Sequence, residues 1–547
     1  MSRTFDYIIV GAGAAGCVLA NRLSEDGQKR VALIEAGGAV PWWDFRPRMP
    51  LATSLAIGSS RYNWGFVSEP MPYAGDRRGL LHRGRVLGGS TTINGMVYMR
   101  GNPADYDRWA VEPGMQDWRF SRCLPYFRRL ECYDHGADAY RGDAGPVAVE
   151  RAVPQNPLYS VFIEAGLEAG HCYISDFNGY RQEGVGLFDR AVRRGTRESA
   201  ATAYLSPIKR RRNLHVLTGR RVVRVLMQHG RATGVELFRG GHLERIDAEA
   251  EVILSAGAIQ SPQILMLSGI GPADHLRRHG ISVLQDSPGV GQNLCDHLEM
   301  LVQHECLRPV SLYRHVGPIR QSLLGLEWLL RRSGIGATNM FEAGGFFRSN
   351  DTLEYPDTQI HFVAAAIDYE KKLGISKHGF QAHPGPMHMH SRGTIELVGP
   401  NALVAPRIQP GWLTDERDVV ALRIAVRLTR NIFSQRAFAP YRGLETAPGP
   451  EIQSDADIDA HIRQTASTAY HFVGTCRMGT GVGAVVGPDL NVHGVQRLRV
   501  IDASVMPCTP TGNTTVPVMM IAEKAAAMLL GEAPLEQSVP YYRAMAK

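Results

Sequence analysis

The sequence lacks the cysteine patterns that build disulfide frameworks or zinc sites. It has 8 cysteines in 547 residues, none forms a C-x-x-C pair, and a chain of this length buries enough core without cross-links. The scattered cysteines therefore predict a reduced compartment and no structural metal. They are Cys17, Cys123, Cys132, Cys172, Cys295, Cys306, Cys476 and Cys508.

Long apolar runs and dense basic patches are also missing. No stretch of about 18 uncharged apolar residues occurs, so no transmembrane segment is predicted, and a first strand that begins by Phe5 leaves no room for a signal peptide. The net charge is only +7, and the basic run Lys209 to Arg212 has no interleaved aromatic residues, which argues against nucleic-acid binding. We expect a cytoplasmic protein and leave monomer and dimer both open.

The strongest motif lies at the start of the chain. Tyr7 to Val10 is a short apolar run, and Gly11, Gly13 and Gly16 follow in G-x-G-x-x-G spacing, which predicts a strand, a tight turn and a helix over Ala14 to Leu23. Gly11 permits the turn, Gly13 lets backbone N–H groups approach a pyrophosphate, and Gly16 lets the helix pack close to the strand.

A second apolar strand, Val31 to Ile34, ends at Glu35. A carboxylate there can accept hydrogen bonds from a free ribose 2′-OH and disfavours a 2′-phosphate. The whole unit predicts an adenine dinucleotide whose phosphates lie at the helix N-terminus. From these residues alone, NAD and FAD both stay open.

Later segments predict that the chain returns to the dinucleotide-binding domain. Leu214 to Val225, the strands that follow and the Gly240-Gly241 turn form a predicted β-meander. Glu251 to Gly271 then predicts a buried strand, with a helix that starts at Ser-Pro, and the chain ends with a strand, Leu498 to Ile501, and a helix from about Thr515.

One histidine-rich stretch, HPGPMHMH, contains His383, His388 and His390. On a strand, His388 and His390 would share a face and could ligate a metal together. No carboxylate or further histidine lies at a supporting spacing. A strand that lines the second domain is therefore preferred, and no metal is predicted.

Together these segments resemble the glucose-methanol-choline (GMC) family of FAD oxidoreductases. The resemblance rests on GAGAAG with Glu35, GGSTTINGM within Gly84 to Gly101, SAGAIQSPQILMLSGIG, and GNTTVPVMMIAEKAA, and it covers nearly the whole chain. It implies an α/β fold with a Rossmann-like FAD-binding domain, discontinuous in sequence, and an α+β substrate-binding domain built on an antiparallel sheet. The implied FAD-binding domain comprises residues 1–153, 213–300 and 475–547, and the substrate-binding domain comprises residues 154–212 and 301–474.

The resemblance also implies the residues of the site. Trp64 and Val223 would lie near the adenosine, and Asp502 and Ala503 near the pyrophosphate or ribityl chain. His471 and Asn513 match the family's catalytic pair. The implied FAD-contacting residues are Gly11, Gly13, Ala14, Ala15, Gly16, Glu35, Ala36, Trp64, Val86, Gly89, Asn94, Gly95, Met96, Val97, Val223, Ala256, Gly257, Asp502, Ala503, Asn513, Thr514 and Thr515.

The implied function is FAD-dependent oxidation of a primary alcohol to the aldehyde, with hydride transfer to flavin N5 and His471 as general base. The electron acceptor would be O₂ or another oxidant. A hydroxynitrile-lyase-type enzyme, a choline-specific dehydrogenase and a flavin-bearing protein without turnover remain as alternatives. A choline-like cation needs an aromatic cage and a carboxylate, which the sequence does not assemble, so a neutral alcohol is the expected substrate.

Three positions depart from the family pattern. Ile93 stands where some relatives attach FAD through a histidine, so non-covalent FAD is expected. Phe472 and Met389 replace prolines that are common in relatives, which predicts an altered wall of the substrate pocket.

Overall fold

The computed structural model describes residues 3–368, 374–375 and 377–545. Two large sheets organise these residues, and helices cover them. The α-helices are α1 Ala14–Leu23, α2 Thr53–Ile57, α3 Pro103–Trp109, α4 Phe120–Leu130, α5 Pro157–Glu168, α6 Gly257–Leu267, α7 Ala273–Arg278, α8 Pro318–Arg331, α9 Glu416–Ser434, α10 Asp455–Thr465 and α11 Thr515–Leu530.

A seven-stranded sheet carries the glycine motif. Its order is Leu214–Thr218, Val31–Glu35, Arg3–Val10, His242–Leu254, Arg231–Arg239 and Arg221–Gln228, with Leu498–Val500 also paired to His242–Leu254. The parallel strands are Arg3–Val10, Val31–Glu35, Leu214–Thr218, His242–Leu254 and Leu498–Val500. The strands Arg221–Gln228 and Arg231–Arg239 add an antiparallel meander. The central parallel strands are buried on both faces, which explains their continuous apolar sequence.

A six-stranded antiparallel sheet forms the second half. Its order is Arg442–Ala447, Val302–Cys306, Gly379–Pro386, Thr358–Val363, Ala343–Phe347 and Gly184–Leu187. The predicted fold class, a Rossmann-like sheet joined to an antiparallel sheet, is thereby confirmed. The strands of the antiparallel sheet come from the segments predicted for the substrate-binding domain. The strands of the seven-stranded sheet come from the segments predicted for the FAD-binding domain.

Shorter ladders complete the strand pairing. A three-stranded sheet contains Glu131–Tyr133, Val147–Arg151 and Asp189–Arg190. The two-stranded ladders pair Phe66–Val67 with Leu80–Leu81, Val192–Arg193 with Thr196–Arg197, Ile270–Gly271 with Gln285–Asp286, Leu298–Glu299 with Ser467–Thr468, Ile367–Asp368 with Gly374–Ile375, and Thr394–Glu396 with Arg407–Gln409.

Two local predictions need correction. The run Leu214 to Val225 is two strands, because Gly219 turns the chain with φ +65°, and the first strand joins the parallel sheet instead of the meander. Helix α6 begins at Gly257, before the Ser-Pro pair, so Pro262 lies inside it. The carbonyl of Ala258, which Pro262 cannot bond, accepts a hydrogen bond from Thr475 Oγ1 at 2.6 Å.

The histidine-rich stretch is only partly a strand. His383 belongs to Gly379–Pro386, whereas His388 and His390 follow its end. Within residues 3–368, 374–375 and 377–545, no group of three or more His, Cys, Asp or Glu side chains is arranged to hold a metal. None of the helices in this part of the chain combines the length and apolar character needed to cross a bilayer.

Candidate active site

A cavity of about 2160 Å³ has walls from both halves of the molecule. It brings together most of the predicted site residues: Gly11, Gly13, Ala14, Ala15, Glu35, Ala36, Trp64, Gly89, Asn94, Gly95, Met96, Val97, Ala256, Gly257, His471, Asp502, Ala503, Asn513, Thr514 and Thr515. Gly16, Val86 and Val223 are absent from this wall.

These three exceptions have simple physical reasons. A Cβ at Gly16 would lie 1.9 Å from the carbonyl oxygen of Gly11, so Gly16 serves the close approach of helix and strand. Val86 is 1% exposed and packs into a small apolar cluster with Tyr62 and Ile93. Along the strand Arg221–Gln228, side chains alternate between faces, and Val222 is the residue whose side of the strand meets the cavity.

Helices α1 and α11 begin at the cavity wall, and among the described residues no side chain caps their first backbone N–H groups. Neither α1 nor α11 has a side-chain cap or an acidic residue in its first turn. A helix start with free N–H groups attracts an anion, so this wall suits a phosphate-bearing ligand.

Glu35 lies on the same wall with its carboxylate held by backbone. It accepts hydrogen bonds from Ala12 N at 3.0 Å and Gly37 N at 2.8 Å. Burial raises the pKa of this carboxyl to about 7, although the two backbone donors oppose the shift. Each oxygen can still accept a further bond from a ligand hydroxyl.

The space beside α1 fits a dinucleotide such as FAD. A Cβ added at Gly13 would meet no atom within 4 Å, so the backbone there is open to a ligand in the cavity. Trp64 also lines the cavity, and the guanidinium carbons of Arg85 and Arg221 are 5.4 and 5.1 Å from its ring centroid. Free N–H groups, a carboxylate that can accept hydrogen bonds from a ribose, and an aromatic ring together suit an adenine dinucleotide.

Two chain segments meet at the other end of the cavity. Leu298–Glu299 pairs antiparallel with Ser467–Thr468, and Ala469 N donates to His297 O at 2.9 Å. Tyr470 then takes φ +65°, a conformation that costs a non-glycine residue of the order of 1–3 kcal/mol. This bend turns His471 toward His297.

Hydrogen bonds define the tautomer of each ring. His297 Nε2 lies 3.0 Å from the carbonyl oxygen of Met387, which can only accept, so this nitrogen carries the proton. His297 Nδ1 therefore has the lone pair and accepts from His471 Nδ1 at 3.0 Å. His471 Nε2 is left as a proton acceptor on the cavity wall.

Burial keeps this histidine pair neutral. It lowers the pKa of His297 to about 3. Burial, followed by His297, His361 and Arg83, holds the pKa of His471 well below 6.5. His471 is thus a neutral acceptor across the physiological pH range.

Asn513 completes the pair. Its Nδ2 donates to His471 Nε2 at 3.2 Å, so a substrate hydroxyl that displaces this bond meets an acceptor and a donor at one point. The loop that carries Asn513 is fixed by Asp105, whose carboxylate accepts from Thr511 N at 2.6 Å and Thr511 Oγ1 at 3.0 Å.

Glu299 supplies a carboxylate near this point. It lies on the cavity wall with Phe341 and Tyr470 and accepts a hydrogen bond from His383 Nδ1 at 3.1 Å. Sequence reasoning found neither Glu299, His297 nor Phe341 as site residues. The only hint in the sequence was Asp296-His297-Leu298-Glu299, a segment rich in polar residues. It points to a site only once the fold pairs it with the segment of His471.

Comparison with protein families and curated proteins agrees with this geometry. The GMC oxidoreductase family matches residues 5–299 with its N-terminal model and 389–522 with its C-terminal model. The chain is 48% identical to oxygen-dependent choline dehydrogenase 1 of Chromohalobacter salexigens, over 99% of this chain and 98% of that protein. It is 46% identical to oxygen-dependent choline dehydrogenase of Proteus mirabilis, over 98% of both chains.

Solved structures show the same architecture. Pyridoxine 4-oxidase from Mesorbium loti superposes with a TM-score of 0.88 at 31% identity, over 97% of this chain and 100% of that chain. A formate oxidase variant from Aspergillus oryzae superposes with a TM-score of 0.91 at 25% identity, over 97% and 98% of the respective chains.

Proposed function

The chain belongs to the GMC oxidoreductase family, and we propose that it oxidises choline to betaine aldehyde with FAD as the electron acceptor in the site. Alcohol oxidation with FAD follows from the family, and the relatives named for choline support the substrate. They favour the choline alternative over the neutral alcohol preferred from the sequence. The observation that carries the proposal is the proton-acceptor nitrogen of His471 on the same wall as Glu299.

Glu299 and two rings account for recognition of the cation. A quaternary ammonium cannot donate a hydrogen bond, so it binds through aromatic faces and a negative charge. Phe341 and Tyr470 offer the faces, and Glu299 offers the charge. His383 donates to Glu299 and fixes the carboxylate. Among the described residues, no lysine or arginine forms an ion pair with Glu299.

His471 and Asn513 act on the hydroxyl group. The lone pair of His471 Nε2 accepts the hydroxyl proton, and Asn513 Nδ2 donates to the oxygen as it gains negative charge. His297 holds the Nδ1 proton of His471, so the acceptor nitrogen stays directed at the substrate. When bound, FAD supplies the ring that takes up the hydride from the carbinol carbon.

The residues near α1, α11 and Glu35 would hold FAD, and we propose that they do so without a covalent bond. Ile93 lines the cavity, and its hydrocarbon side chain cannot form one. Acid precipitation should therefore release all of the flavin absorbance into the supernatant; flavin that stays with the pellet would contradict this assignment.

The test compares choline with its neutral isostere 3,3-dimethylbutan-1-ol. Purified FAD-loaded enzyme is mixed anaerobically with each alcohol, and bleaching of the flavin band gives the rate and the apparent Kd. We expect choline to bind at least tenfold more tightly, or about 1.4 kcal/mol. Equal or better use of the neutral alcohol would contradict the choline assignment. In a parallel reaction with a cyanohydrin, release of the carbonyl compound and cyanide without bleaching would indicate a lyase.

Glu299→Gln sharpens the same comparison. Removing the carboxylate charge should raise the apparent Kd for choline about tenfold and change that for the neutral isostere less than about twofold. Asp274→Asn is the matched control, because that side chain is 87% exposed and is not part of the cavity wall. An equal change for both alcohols would remove Glu299 from cation recognition.

A further inference from the structure

Arg197 is a buried cation that has no acidic partner among the residues that the structure describes. The residue is 3% exposed, and its guanidinium donates to Asn94 O at 2.6 Å, Asn94 Oδ1 at 2.8 Å and Thr53 Oγ1 at 2.7 Å. Its Nε is buried and has no hydrogen-bond partner among the described residues. The acceptors to which its guanidinium donates, which also include Thr91 O at 3.3 Å, are all neutral.

The contrast with Arg141 shows how unusual this environment is. Arg141 is equally buried but lies 2.9 Å from Glu131 and 2.8 Å from both Asp176 and Asp189. Burial alone acts on Arg197 and lowers its pKa to about 9. An unpaired buried charge costs several kcal/mol, which a protein tolerates when a bound ligand supplies the opposite charge.

Asn94 connects this charge to the cavity wall. Asn94, Thr53 and Thr91 line the cavity, and Arg197 lies one layer behind them. Asn94 Nδ2 also donates to Thr515 Oγ1 at 3.3 Å, and Thr515 is the first residue of α11. The positive charge of Arg197 and the positive end of the α11 dipole therefore act on the same region of the cavity.

We propose that Arg197 is an electrostatic determinant of cofactor binding: its unpaired charge destabilises the empty protein and is compensated when the anionic cofactor binds. The inference rests on FAD as the cofactor but not on choline as the substrate. FAD brings two phosphate charges into the cavity, and electron uptake adds further negative charge. Arg197 should therefore favour both binding and reduction of FAD.

The test measures binding, not turnover. Arg197→Met removes the charge and keeps most of the volume. We expect the Kd for FAD, from tryptophan-fluorescence titration of the deflavinated full chain, to rise at least tenfold, or 1.4 kcal/mol. The Tm without FAD should stay the same or rise, while the gain in Tm on adding FAD shrinks. The midpoint potential of the loaded variant should become more negative.

If Arg197 only stabilised the fold, the measured Tm and Kd would change in a different way. In that case the Tm would fall equally with and without FAD, and the Kd would not change, which would overturn the proposal. Arg197→Lys keeps the charge but cannot reach all three acceptors; retention of the Kd within about threefold supports the electrostatic role, and a loss equal to that of Arg197→Met contradicts it. Wild-type titration in parallel shows separately whether FAD is the cofactor, and no step depends on which alcohol is oxidised.

Discussion

The two ends of the cavity are built from different parts of the polypeptide. At the nucleotide end, Gly13 and the free N–H groups at the start of α1 put backbone on the wall, beside the side chains of Glu35 and Trp64. At the catalytic end, the wall is side chains, with His297 and His471 174 positions apart in sequence. A backbone wall recognises charge and shape, whereas the side-chain wall also fixes where protons are.

The largest effect should come from removing the acceptor at the catalytic end. His471→Ala should keep its FAD, because the backbone wall is untouched, but slow anaerobic flavin reduction by about 100- to 10,000-fold, or roughly 3 to 5 kcal/mol. Stopped-flow bleaching of the flavin band measures this rate. His390→Ala, at an exposed histidine, is the control and should leave it unchanged. A loss below about tenfold in His471→Ala would exclude the general-base role.

A second prediction concerns the carboxylate that holds the main chain of His471. Asp296 Oδ1 accepts from His471 N at 3.0 Å, and burial raises the pKa of Asp296 to about 7. Because the folded pKa exceeds the unfolded value of about 3.9, its contribution to stability is complete below pH 4 and is lost as the pH rises through 7. From pH 4.5 to 7.5, wild type should lose about 3 kcal/mol relative to Asp296→Asn.

Urea unfolding at fixed excess FAD across this pH range measures the difference. Asp274→Asn, at an exposed side chain, should follow wild type at every pH. A stability difference between wild type and Asp296→Asn that is independent of pH would show that Asp296 does not titrate in the folded protein in this range.

His297→Ala tests whether the catalytic end depends on the tautomer of His471. Without the Nδ1 acceptor, the proton of His471 can move to Nε2, and the acceptor nitrogen is lost in part of the molecules. We expect flavin reduction to slow about 10- to 100-fold, less than in His471→Ala. Two-dimensional ¹⁵N NMR of the histidine rings should show a shift of the His471 tautomer. An unchanged tautomer with a slower rate would mean that His297 acts only by packing.

The same contrast explains how far sequence reasoning reached. The strand, glycine turn and helix at the start of the chain follow from neighbouring residues, and α1 begins and ends where the spacing predicted. The full fold class and the predicted cofactor-contacting residues beyond this unit came from the family resemblance. His471 and Asn513 came only from the family resemblance. His297, Glu299 and Arg197 were missed, because their meaning depends on long-range pairing and on burial, which a single sequence does not display.

The smallest effect should come from the nucleotide end, where Gly13 and Gly16 lie three residues apart but serve different purposes. A Cβ at Gly13 meets no atom within 4 Å, whereas one at Gly16 lies 1.9 Å from Gly11 O. Gly13→Ala should therefore leave the Tm of the deflavinated protein unchanged and weaken FAD binding about tenfold, or 1.4 kcal/mol, because the methyl group occupies ligand space. Gly16→Ala should lower the Tm with and without FAD, since overpacking costs the fold itself about 1–3 kcal/mol. Differential scanning fluorimetry over a range of FAD concentrations separates the two; a Gly13→Ala variant that loses Tm without FAD would show that this backbone supports the fold more than the ligand.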